Sequence, residues 1–121
     1  MEIPKFHETF IPILKVLENG ETLQAREMYQ KVIDQFYSEL SKEKLEEKTK
    51  SGDILINNRI AWGKSYLKKG GYIIFPKRGF VQITEKGKKQ SSSNLTLSQV
   101  ENSDNFLEFY NEENPKNEST P

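Results

Sequence analysis

Apolar residues recur at helical spacing from the start of the chain. Phe6, Phe10, Ile13, Leu14 and Leu17 predict a first helix over about residues 6–18. If Thr9 caps it, Pro12 falls in the first turn, where its missing N–H has no partner to lose; otherwise the helix starts earlier and kinks at Pro12. Asn19-Gly20 is a left-handed stop. Thr22 is expected to cap a second helix over about 23–38. Its rows Met28, Val32, Phe36 and Tyr29, Ile33, Tyr37 form one broad apolar face. Ser41 opens a short, highly charged helix to about Lys48, and Lys50-Ser51-Gly52 breaks it. Asp53 is expected to cap a third long helix, about 54–69, ending at Gly70-Gly71. The pattern then switches to two strand-type runs, Tyr72–Phe75 and Phe80–Ile83. Between them Pro76-Lys77-Arg78-Gly79 reads as a type I turn with Pro at its second position. Thr84 caps a short basic helix to about Gln90.

Three main helices followed by a β-hairpin predict an α+β, mostly α fold: a winged helix-turn-helix. The hairpin loop is the wing and helix 54–69 the recognition helix. Residues 1–90 are expected to form this domain. Ser91–Asn94 reads as a linker, and 91–121 as an acidic, largely disordered tail with a short helix at about 104–110, around Phe106–Tyr110.

Charge changes the picture. The 121 residues carry 18 Lys+Arg and 18 Asp+Glu. That zero is a cancellation. Residues 1–58 have 8 basic and 11 acidic side chains, net −3; residues 59–90 have 9 and 1, net +8; residues 91–121 have 1 and 6, net −5. Segregation of this kind points to a polyanion-binding face followed by an acidic tail. Apolar residues make up only 34%, so a small core is expected. No run of about 18 apolar residues predicts a membrane span, and no signal peptide is evident, so a cytoplasmic protein is expected, and with its polyanion-binding face a nucleoid-associated one. With no cysteine and one histidine, His7, the sequence offers no thiolate or multi-histidine metal site. No catalytic residue, metal site or cofactor is expected.

Helix 54–69 buries Ile56, Ile60, Gly63 and Leu67 in one row, flanked by Leu55, Trp62 and Tyr66. Its other face offers Asn57, Asn58, Ala61 and Ser65 to bases. Arg59, Lys64 and Lys68 are candidates for phosphates or the minor groove, joined by Lys77 and Arg78 of the wing and Lys86 and Lys88 of the last helix. Asn suits a bidentate contact to adenine and a small Ala permits close approach. Lysines suit the phosphate wall. Asn57 and Asn58 are equally readable as residues that hydrogen-bond locally at a helix start.

These residues resemble a known family. Ile3-Pro4-Lys5-Phe6, Phe10-Ile11-Pro12-Ile13-Leu14 and Asn19-Gly20 are similar to the opening of the N-terminal domain of Mrr-type restriction endonucleases. Asn58-Arg59-Ile60-Ala61-Trp62-Gly63-Lys64-Ser65-Tyr66-Leu67-Lys68-Lys69-Gly70-Gly71 resembles that family's most specific helix, and Arg78-Gly79 with Ile83-Thr84-Glu85-Lys86-Gly87 its wing and exit. The resemblance covers about residues 3–90. It implies a winged-helix module for double-stranded DNA, joined in full-length relatives to a metal-dependent nuclease acting on methylated DNA. That nuclease's Asp…Glu-x-Lys core is not found here, so DNA binding is expected and cleavage is not. A nuclease domain or subunit in trans is an expected partner. Gly63 and Gly70 stand where the family has alanine and should soften the helix. Two rival readings share the fold. One is a small transcription regulator, a homodimer using the 95–110 segment. The other is a protein-interaction module whose basic surface docks an acidic partner or its own tail.

Overall fold

The computed structural model describes residues 1–103 and Phe106. A 3-10 turn, Phe6–Thr9, runs into α1, Phe10–Leu17. Pro12 therefore lies in the first turn of α1, where a proline costs no hydrogen bond. Thr9 precedes α1 without capping it. Its buried hydroxyl instead donates to the Phe6 carbonyl at 2.5 Å.

The chain then departs from the expected second helix. Leu23–Gln24 is a strand, β1, and α2 spans Ala25–Phe36, so Thr22 is not a cap. The cause is long-range: β1 pairs antiparallel with the last strand, Leu23 opposite Val81 and Gln24 opposite Phe80. The Ala25 amide donates to the Gly79 carbonyl at 2.8 Å, which satisfies one of the orphan donors at the start of α2. Ser41 caps α3, Lys42–Leu45, as expected, although α3 ends sooner than Lys48. Lys48 instead bridges to Ile54.

The long helix α4 spans Leu55–Lys69. Asp53 does not cap it. Its backbone closes a turn with Thr49, and the Leu55 amide donates to the Glu47 carbonyl at 2.7 Å. Backbone partners from the preceding loop have replaced the side-chain cap.

β2, Ile73–Ile74, and β3, Phe80–Ile83, form the hairpin, with Ile73 opposite Ile83 and Ile74 opposite Gln82. Its tight turn runs from Lys77 to Phe80, closed by the Phe80 amide on the Lys77 carbonyl. Gly79 takes its third position with φ +83°, which glycine adopts without strain. Pro76 thus precedes the turn rather than occupying its second position. With β1 the sheet has the order β1-β3-β2. Thr84 caps α5, Glu85–Gln90: its hydroxyl accepts from the Gly87 amide and donates to the Gly71 carbonyl at 2.7 Å.

The core lies between α1, α2, α4 and the sheet. Phe10, Ile13, Leu14 and Leu17 of α1 meet Met28 and Val32 of α2, Ile56, Ile60 and Leu67 of α4, and Ile73 and Val81. This is a winged-helix-like α+β fold. The core also continues past residue 90. Leu95 is buried, and α6, Leu97–Glu101, places Val100 against Gly70 and Tyr72. Phe106 is buried with its ring centroid 5.5 Å from that of Tyr66. Apart from Phe106, the helix expected at 104–110 lies outside the described residues. Among the described residues, no helix is long and apolar enough to cross a membrane.

Candidate nucleic-acid interface

The helix α4 is clamped along its inward row, with Ile56, Ile60, Gly63 and Leu67 all buried. Its orientation about its own axis is fixed by Gly63. A Cβ on Gly63 would collide with the Thr9 hydroxyl, and would come within 3.1 Å of the Phe6 carbonyl. At Gly70, a Cβ would fall 2.8 Å from the Tyr72 ring and 3.2 Å from Val100. The two glycines expected to soften the helix therefore stand where neighbouring groups approach too closely for a Cβ.

With that row inside, Asn58, Ala61 and Ser65 lie on the outer side of α4, all half-buried. Asn57 sits towards α2, in a depression it shares with Gln30, Ile33, Leu45, Ile54 and Ile56. Lys64 and Lys68 occupy the same flank as Asn57. The Lys64 ammonium lies 5.2 Å from the Tyr29 ring centroid and 5.5 Å from that of Phe75, and Lys68 lies 5.6 Å from the Phe75 centroid. Lys64 and Phe75 also line a small cleft of about 100 Å³ with Ala25, Gly79, Phe80 and Val81. At the wing, Lys77 lies 4.3 Å from the centroid of Phe80, and Lys77 and Arg78 are both exposed. Lys64 and Lys68 thus meet at Phe75, and the cleft Lys64 shares with Phe80 adjoins the turn that carries Lys77 and Arg78.

The remaining candidates lie elsewhere. Arg59 is nine residues before Lys68, so it emerges on roughly the opposite side of α4. There its guanidinium donates to the Pro4 carbonyl at 2.9 Å and lines a cavity with Lys5, Phe6, His7 and Leu97. Lys86 reaches back to the end of α4, where its ammonium donates to the Gly70 carbonyl at 2.7 Å and lies over the Tyr72 ring. A cation there meets the negative end of the helix dipole. Lys88 is exposed, 3.6 Å from Glu85, and on the side of α5 that faces the Asn19-Gly20 turn. Lys86 and Lys88 therefore do not share a face.

Two rings at this face, Tyr29 and Phe75, carry no binding role in the local pattern of the chain. Tyr29 reads as a core position in an apolar row, and Phe75 as the end of a strand. One signal was present: an aromatic placed directly before Pro76 cannot continue far into a ladder. Phe75 is in fact outside β2 and 40% exposed.

A three-helix body, a three-stranded sheet whose hairpin forms a wing, and a pair of lysines at Phe75 beside that wing define a basic winged-helix-like domain. The chain belongs to the Mrr N-terminal domain family of restriction-system proteins, whose sequence profile matches residues 6–93. The match is to that N-terminal domain and not to a nuclease domain. No curated protein matches the chain. No solved structure matches it either.

Proposed function

We propose that this chain is a duplex-DNA-binding module of a restriction system, a target-recognition domain that does not itself cut. The observation that carries the reading is the pairing of Lys64 and Lys68 at Phe75 beside the wing turn that carries Lys77 and Arg78, in a segment of net +8. Family membership supports the restriction-system context. In this reading the outer side of α4 enters the major groove, with Asn58, Ala61 and Ser65 towards base edges and Asn57 at the margin. Lys64 and Lys68 hold phosphates on one groove wall, and Lys77 and Arg78 hold the next stretch of backbone. Arg59 and Lys86 act within the fold, and Lys88 lies outside the main contact. The methylation state of the DNA is the variable a restriction system would read, and a nuclease domain or subunit is the partner that would cut.

Fluorescence anisotropy on a labelled duplex across a salt series tests this. About four phosphate contacts predict a slope of log K against log salt near −3.6. Methylated and unmethylated duplexes in parallel would link the module to restriction through an offset between the two lines. Absence of binding at low salt would defeat the DNA reading.

A further inference from the structure

Phe75 is an exposed aromatic in an unusual setting. Among the described residues the large exposed apolar side chains are Met1, Ile74 and Phe75, at 60%, 45% and 40%. Two of these three are adjacent, at the foot of the wing. Lys64 and Lys68 both place their ammonium groups over the Phe75 ring, at 5.5 and 5.6 Å, and Lys64 is shared with Tyr29 at 5.2 Å. A ring face attracts cations through its quadrupole. The attraction is weak beside a charge-assisted contact to a phosphate. A polyanion would therefore draw both lysines off the ring. The ring then lies bare at the centre of the interface, next to the cleft formed with Ala25, Gly79, Phe80 and Val81.

We propose that Phe75 is an apolar contact to the DNA itself, covered by Lys64 and Lys68 in the free protein and uncovered when they move to phosphates. Its ligand is the apolar surface of a nucleotide: a thymine methyl group at a base edge or the face of a deoxyribose. This rests on the DNA-binding reading above and adds a part of the affinity that does not depend on salt. Lysine–phosphate contacts release counterions and set the salt slope, whereas an apolar contact shifts the line without tilting it.

The test compares wild type, Phe75→Ala, Phe75→Leu and Lys64→Ala in the same salt series. Circular dichroism melts check folding, which an exposed side chain leaves intact. F75A is expected to bind about tenfold more weakly at every salt concentration, as for the loss of one buried apolar contact. Its slope should match wild type, and F75L should recover part of the loss. K64A should instead flatten the slope by about 0.9. Repeating F75A on a duplex with uracil in place of thymine separates the two ligand sources. A penalty that disappears assigns the methyl group, and one that persists assigns the sugar. Wild-type affinity in F75A overturns the proposal while leaving DNA binding in place. A loss in F75A accompanied by a flattened slope also overturns it, because the ring would then only order the lysines. No binding by wild type overturns this proposal and the DNA reading together.

Discussion

Gly63 shows how one missing carbon sets the face a helix presents. It lets α4 lie directly on the Phe6–Thr9 turn, and this contact fixes which side of the helix faces out. Gly63→Ala should cost about 1–3 kcal/mol, the usual range for overpacking, even though alanine is the better helix former. Urea unfolding of the two proteins measures it, and an alanine variant as stable as wild type would contradict the packing argument. Tyr37 offers a second test. Burial first, and then the negative charge of Glu8, push its phenol from the ordinary value near 10 up to about 12. The raised value means that the folded state holds its proton longer than the unfolded chain does. The associated stability is complete below pH 10 and is lost as pH rises from about 10 towards about 12. Tyr37→Phe should remove that part of the alkaline destabilisation. In a phenolate absorbance titration of the folded protein, it should also remove a group ionising near 12.

At the scale of elements, α4 has two flanks with separate work. One carries Lys64 and Lys68 towards the wing, and the other ties Arg59 to the Pro4 carbonyl. Charge reversal at Lys64 and Lys68 together should weaken binding to all duplexes alike, by roughly tenfold or more, and flatten the salt slope by about 2. Arg59→Ala should leave that slope unchanged and lower the melting temperature, because it frees the N-terminal segment. Anisotropy and thermal melts on the two variants separate the flanks. Equal loss of slope in both would return Arg59 to the interface. Thr84 joins elements in the same sense. Its hydroxyl caps α5 and holds the Gly71 carbonyl after α4, so Thr84→Val should cost about 1–2 kcal/mol.

At the scale of the molecule, α6 is part of the folded body. Val100 is fully buried against Gly70 and Tyr72 at the end of α4. Val100→Ala should therefore destabilise the whole domain by about 2 kcal/mol. Truncation after residue 94 should cost considerably more, since it also removes Leu95 and Phe106 from the core. Truncation after Phe106 is a different experiment. It removes Glu108, Glu112, Glu113, Glu118 and Lys116, a net −3, and leaves the described core intact. Lower net negative charge should raise DNA affinity at low salt, with the difference vanishing at high salt. Unchanged affinity would mean that these charges do not reach the basic face.

Much of this was legible in local pattern. The inward row Ile56, Ile60, Gly63 and Leu67, the Ser41 and Thr84 caps and the hairpin follow from periodicity and cap chemistry, which act over a few residues. The concentration of positive charge in residues 59–90 is also plain in the chain. What local pattern could not supply depended on partners far along the chain. Leu23–Gln24 reads as helix but pairs with β3, because an open strand edge and an unsatisfied helix start were both available there. Asp53 lost its capping role to a backbone bridge from the Glu47–Asp53 turn. Leu95 and Val100 look like scattered apolar residues in a polar stretch until the end of α4 gives them a surface to cover. The basic segment itself divides for the same reason. One-dimensional charge counts Arg59, Lys64, Lys68, Lys77 and Lys86 alike. Helix rotation and the carbonyls of Pro4 and Gly70 direct two of them into the fold, leaving Lys64 and Lys68 at Phe75 and Lys77 at Phe80.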